Sequence, residues 1–172
     1  CAEKVSFFDG KPSQLKLASI ATMEARIAGA NLFSIRRVNM GAIGVFSTVL
    51  GGNAFASAGL TESQAREKGY AVIIGEAEGI NRHPGGMPGG ANLKVKLIFE
   101  AGSYVLLGGQ VSGATSAGEL INVISACIHQ KMTVHDITTF QTGTHPALTA
   151  SPVSYQLVNA AENAIAGSYL QE

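Results

Sequence analysis

The sequence predicts an α+β fold, an antiparallel β-sheet flanked by helices, and three observations carry that prediction. Strand-like runs cluster between residues 43 and 111, with longer helical patterns before and after them. Segregation of this kind argues against alternating βαβ units. Leu93, Val95, Leu97 and Phe99 alternate with Lys94, Lys96, Ile98 and Glu100, the period of two shown by a strand with one buried face. Capping signatures at Thr61-Glu62-Ser63-Gln64 and Ser116-x-x-Glu119 mark helix starts within and after the strand region.

The elements follow in order. Residues 1–16 are mixed and contain a turn at Phe7-Phe8-Asp9-Gly10-Lys11-Pro12. Residues 18–31 read as an Ala-rich helix with Ser19 as N-cap. Residues 43–50 and 53–58 are strands joined by Gly51-Gly52, a hairpin signal. The helix opened by Thr61 stops at Gly69. Residues 70–75 are a β-rich run, and 81–92 form a loop dense in Gly and Pro. Residues 93–100 and 103–111 pair as a hairpin around Ala101-Gly102, with Val95, Leu97 and Phe99 inward. A slip of one residue would turn all three to water. From Ser116 to about residue 130 a helix places Ala117, Leu120, Ile121, Ile124 and Cys127 on one face. Thr133 opens a short helix, and Ser151-Pro152 begins a last helix that stops at Gly167.

Composition narrows the functional classes. A chain of 172 residues holds one domain, or one domain with an appendage. Only 14% of residues are charged, against 46% apolar, so part of the surface is expected to meet a partner. Twelve basic and twelve acidic residues cancel, and no basic stripe suggests nucleic acid. No apolar run approaches the roughly 20 residues of a membrane span. Cys1 and Cys127 cannot make a disulfide framework, and Cys127 reads as a small core residue. The opening Cys-Ala-Glu-Lys, without Met or signal peptide, suggests a chain cut from something longer, or processed.

Several motifs invite chemistry. Gly108-x-x-x-x-Gly113 follows a strand and precedes a helix, but Ala114-Thr115 stand where a phosphate-binding loop needs Lys and Ser or Thr. Glycines shaping a strand-to-helix turn are the better reading. No G-x-G-x-x-G is present, so no dinucleotide site is assigned. His83, His129, His135 and His145 lack metal-site spacing, and no metal is assigned. The loop around Arg82-His83-Pro84 could hug a ligand with its backbone, but reads better as a surface connection. An N-terminal Cys can serve as the nucleophile of an N-terminal hydrolase, yet no accompanying base or oxyanion constellation is evident.

Three ordered blocks bear a family resemblance. They are Cys1-Ala2-Glu3-Lys4 with residues 17–22 and 25–31; Gly59-Leu60-Thr61-Glu62 and Ala65 with residues 94–111, Gly113 and residues 117–122; and residues 143–152, Gly-Thr-His-Pro-Ala-Leu-Thr-Ala-Ser-Pro. Together they resemble the C-terminal third of the pyridine nucleotide-disulfide oxidoreductases, in the NADH oxidase and coenzyme A-disulfide reductase-like branch. The resemblance implies that residues 1–35 are the end of an FAD-binding domain and 36–172 a dimerisation domain. It implies that Leu17, Ala18 and Ser19 face the flavin in an intact parent. FAD and NAD(P)H would belong to that parent, and none is expected in this chain. In the dithiol branch the His-Pro motif supplies a catalytic His oriented by a Glu five residues later. Here that place is Ala150. His145 is therefore expected at the edge of the parent dimer's active site, or equally as an interface loop residue, and no catalytic residue is assigned.

The resulting expectation is a dimerisation domain of an FAD-dependent NAD(P)H oxidase or disulfide or polysulfide reductase-like enzyme. It would be inactive alone and cytoplasmic, pair with itself as a homodimer or higher oligomer, and lack its FAD- and NAD-binding domains. A stand-alone interaction module and, more remotely, the N-terminal Cys hydrolase are the alternatives.

Overall fold

The computed structural model describes residues 2–169. The chain divides into two compact units, Cys1–Gly44 and Val45–Glu172, each described by itself. In the first unit, Val5 pairs with Pro12 and Ser6 with Ala42 as isolated bridges around the expected turn. Helix α1, Ala18–Ala30, carries one buried residue, Ile20, while Met23 and Ile27 are half-exposed. Its N-cap is Leu17, not Ser19, and no side chain caps it. The predicted cap fails because Ser19 already lies inside the first turn. Asn31 closes the helix, and its side-chain oxygen accepts the N–H groups of Arg36 and Arg37 at 2.9 and 3.0 Å.

The second unit is built on a five-stranded sheet: β1 Val45–Leu50, β2 Asn53–Gly59, β3 Val72–Ile80, β4 Asn92–Glu100 and β5 Leu106–Gly113. The strand order is β1-β2-β5-β4-β3, and every neighbouring pair is antiparallel. The helices are α2 Glu62–Glu67, α3 Ala117–His129, α4 Val134–Thr138 and α5 Gln156–Tyr169. The predicted α+β class is the one observed.

Register explains the core. Val95, Leu97 and Phe99 are fully buried, as the alternation predicts. Leu97 lies opposite Gly109 on β5 and Gly75 on β3. A side chain at Gly109 would meet Ile124 of α3 at 3.0 Å. One at Gly75 would start 1.8 Å from the Ala160 carbonyl oxygen of α5. Helices α3 and α5 therefore cover the same sheet face, each burying an apolar stripe. Burial of each large side chain there contributes about 1.5–3 kcal/mol.

The other face is polar along its middle but not throughout. Lys94 holds Glu76 at 2.7 Å, and Lys96 holds Glu62 of α2 at 2.9 Å and Glu76 at 3.5 Å. Ile98, expected on the solvent side, is fully buried. It stands opposite Gly108, over which the Leu60 backbone passes so closely that a Gly108 side chain would start 1.9 Å from the Leu60 oxygen. The segment leading into α2 thus covers one end of the second face.

Other boundaries moved. The β4–β5 turn spans residues 101–104 rather than Ala101-Gly102 alone, because Tyr104 takes a left-handed φ of 60° and returns its N–H to the Glu100 oxygen at 2.8 Å. Strand β3 runs to Ile80, well past residue 75. Ser116 is the N-cap of α3 but in a helical conformation, without a capping hydrogen bond. Ser151-Pro152 opens only a 3-10 turn, Pro152–Ser154, ahead of α5, and α5 continues through Gly167 to Tyr169. The capping box at Thr61 forms as read, and a second one forms between Thr133 and Asp136.

Candidate functional site at the His145 loop

The segment between α4 and α5 is held by short-range hydrogen bonds. The His145 carbonyl accepts the N–H groups of Leu148 and Thr149 at 2.9 and 3.0 Å. The His145 N–H donates to Thr149 Oγ1 at 3.1 Å. The Ala147 N–H donates to His145 Nδ1 at 3.2 Å. That last bond decides the tautomer: a neutral ring accepting at Nδ1 carries its proton on Nε2. His145 is exposed, and its Nε2 has no partner among the described residues. It can donate a hydrogen bond outward. To act as an Nε2 base it would have to give up the Ala147 contact. The fifth residue after His145 is the buried Ala150, and among the described residues no carboxylate is hydrogen-bonded to the ring.

Two further segments join this loop. His83 donates its N–H to the Pro146 carbonyl at 3.2 Å, which ties the Gly/Pro-rich loop to the His-Pro motif. Leu148, Thr149 and Ala150 line a groove of about 590 Å³ together with Val123 and Ala126 of α3 and Gln156 of α5. Gln156 is almost wholly buried and donates to the Ile80 carbonyl at 3.2 Å. Val123 and Leu148 stay exposed at the groove, by 41% and 72%. Sequence reading missed the groove because its walls come from segments far apart in the chain. The proline-rich loop was the available signal, but its link to Pro146 has none.

The remaining candidates are scattered. Leu17, Ala18 and Ser19 lie in the first unit, where the N–H groups of Ala18, Ser19 and Ile20 have no acceptor among the described residues and Leu17 offers no capping oxygen. This open terminus fits an electron-rich ring edge or an anion. Gly108 and Gly113 sit on β5, with no lysine after them. His135 packs against the Tyr104 ring at 5.4 Å. Among the described residues no group of three His, Cys, Asp or Glu could hold a metal, and no helix is long and apolar enough to cross a membrane. Cys1, the nucleophile of the hydrolase alternative, lies outside the described residues.

Residues 45–154 match the dimerisation domain of the pyridine nucleotide-disulphide oxidoreductases. The chain belongs to this family. An NADH oxidase of Methanocaldococcus jannaschii is 25% identical over 165 residues, which are 96% of this chain and 36% of that protein. An NAD-dependent persulfide reductase from A. fulgidus superposes with a TM-score of 0.86 at 25% identity, covering 98% of this chain and 31% of the other. The water-forming NADH oxidase of Lactobacillus brevis shares the fold, with a TM-score of 0.87 at 22% identity over 99% of this chain and 37% of the other. This dimerisation domain thus spans about a third of the length of the proteins it matches. The branch suggested by the three sequence blocks is the branch of these relatives.

Proposed function

We propose that this chain is the C-terminal interface portion of an FAD-dependent NAD(P)H oxidoreductase of the NADH oxidase or persulfide reductase kind, that it pairs with a second copy of itself, and that it has no redox activity alone. The observation that carries this reading is the match of residues 45–154 to a dimerisation domain, in a chain that spans about a third of its relatives. Two parts of the chain fit roles beside a flavin. The uncapped start of α1 offers the N–H groups of Ala18, Ser19 and Ile20, where the helix dipole favours negative charge. His145, whose Nδ1 accepts the Ala147 N–H, offers an Nε2 donor that would lie at the edge of the paired molecule's site. When bound, FAD supplies the hydride-accepting centre. Residues 1–35 would belong with the flavin domain and 36–172 with the interface. A cytoplasmic setting is part of the same reading, supported by the free, buried Cys127.

The test compares two polypeptides. The 172-residue chain, mixed with FAD and passed through gel filtration, is expected to emerge without flavin absorbance. A longer polypeptide that ends in this chain is expected to retain FAD and oxidise NADH or NADPH. Stoichiometric flavin on the short chain, or a longer one that neither binds flavin nor oxidises the nicotinamide, overturns the reading.

A further inference from the structure

The turn that carries His145 is closed on itself. Its hydrogen bonds join residues 145–150 to one another. Bonds of that kind fix the shape of a turn but not the direction in which it faces. Among the described residues, one hydrogen bond leaves residues 141–150 for another segment: the His83 N–H donates to the Pro146 carbonyl at 3.2 Å. Pro146 directly follows His145, so this bond acts on the backbone beside the imidazole.

His83 lies in the exposed connection between β3 and β4, so its N–H is a firm support only where that connection is itself held. Inside the loop, Met87 donates its N–H to the Pro84 carbonyl at 2.9 Å and Gly90 to the Met87 carbonyl at 3.0 Å. The Arg82 guanidinium lies over Gly89, where the first carbon of a side chain would meet its Cζ and Nη2 at 3.3 Å. At the base, the Asn81 N–H donates to the Ala91 carbonyl at 3.0 Å and the Ala91 N–H to Asn81 Oδ1 at 2.8 Å. Asn81 Nδ2 donates to Ser116 Oγ, at the start of α3, at 3.4 Å. One residue earlier, the Ile80 carbonyl accepts Gln156 Nε2 of α5 at 3.2 Å. Gln156 is the one buried polar or charged residue among those described, at 3% exposure. An apolar side chain of the same length would fill its place without the cost of burying an amide. What the amide adds is a grip on the end of β3, where the loop begins.

We propose that Gln156 and Asn81 are positioning residues for His145. They fix the base of the 81–91 loop, the loop presents the His83 N–H to Pro146, and that bond sets the direction in which His145 Nε2 donates. Both act through the loop rather than on the ring. The proposal rests on the reading of His145 as a donor that would lie at the edge of the paired molecule's site. Such a donor needs support of this kind, because a displacement of about 1 Å takes away much of its effect on a reacting group. The Gly/Pro-rich connection, which carries no acid or base of its own beyond His83, acquires a use as the arm that joins two helices to the His-Pro turn.

The test uses the 172-residue chain at alkaline pH, where the imidazole is neutral. It reads amide hydrogen exchange and the ring nitrogen resonances of His145, which report the tautomer. The His83 amide is expected to exchange about tenfold more slowly than an unbonded amide, the scale of one hydrogen bond. Gln156→Met is expected to remove most of that protection, to move the Ala147 and Thr149 amide resonances, and to shift the His145 ring away from the purely Nε2-protonated form. Asn81→Ala should do the same, and it carries the test if Gln156→Met does not fold. Asn163→Ala is the control. Its side chain also hangs from α5 and donates to a β3 carbonyl, that of Glu76 at 2.8 Å, but away from the loop. It should leave His83 and His145 unmoved whatever it does to the melting temperature. None of these measurements involves a flavin, so a longer polypeptide that fails to oxidise NADH or NADPH would remove the redox reading without deciding this one. An unprotected His83 amide, unchanged His145 ring resonances in a folded Gln156→Met or Asn81→Ala chain, or equal changes in Asn163→Ala would each overturn the proposal.

Discussion

Gly75 controls how closely the last helix lies on the sheet. With no side chain there, the Ala160 carbonyl of α5 comes to within 1.8 Å of the place a first side-chain carbon would occupy. Gly75→Ala must push α5 away from β3, and overpacking of this kind costs about 1–3 kcal/mol, sometimes more. Urea denaturation should show that loss for Gly75→Ala and much less for Gly102→Ala, whose added carbon meets nothing within 4 Å. Nearby, the charged cross-strand residues predict a pH dependence. The Lys94 hydrogen bond holds the Glu76 carboxyl below its ordinary value, and Lys96 does the same for Glu62. A carboxylate with a depressed folded-state value contributes stability above its unfolded value, and this is lost as pH falls through the folded one. Stability should therefore fall on acidification below about pH 4.3, the ordinary Glu value, and Glu76→Gln should flatten that acid arm. Both partners are partly exposed, so the effect is small. The charged face was legible in the alternation of β4. The role of Gly75 was not, because a glycine under a helix looks like any other glycine in a sequence.

At the scale of elements, the capping boxes separate real helix starts from apparent ones. Thr133 and Asp136 satisfy each other's backbone donors, as do Thr61 and Gln64. Ser116 fits the same pattern in sequence but is already helical and makes no capping bond. Thr133→Ala should cost about 1 kcal/mol and Ser116→Ala clearly less, measured side by side by thermal unfolding. The same contrast shows where sequence reading stops. A capping pattern states what two side chains can do, while the chain direction entering the helix decides whether they do it. The length of β3 was hidden differently. Its inward positions are Ile73, Gly75, Ala77 and Gly79, and two glycines and an alanine give no apolar beat. The outward partners Glu76 and Glu78 make sense only once Lys96 and Lys94 stand across from them. The hairpin of β4 and β5 was readable because its buried residues are large.

At the scale of the whole molecule, the open question is what the second unit presents to a copy of itself. Its best candidate is the groove between α3, the His145 loop and the start of α5, with Val123 and Leu148 exposed along it. A two-fold pair uses the same patch on both molecules, so one exposed apolar position is counted twice. Val123→Asp would place two carboxylates in such a seam, which is why it should separate the pair without touching the buried stripe of Leu120, Ile124 and Cys127. Cys127 offers a check that the fold survives. Burial pushes its thiol up to about 11, so with Cys1 replaced by Ser it should resist thiol reagents at pH 8 until the chain unfolds. The first unit adds a second tendency to associate. Leu32, Phe33, Ile35 and Val38 are all strongly exposed within a few residues, and clustered apolar side chains of this kind favour association. Sedimentation at micromolar concentration should therefore find a dimer or a larger even assembly. Val123→Asp should remove the dimer, and Phe33→Ser with Ile35→Ser should reduce any tetramer to a dimer. A single monomeric species of the parent chain would show that neither surface is sufficient by itself, and would remove self-pairing from the account of this domain.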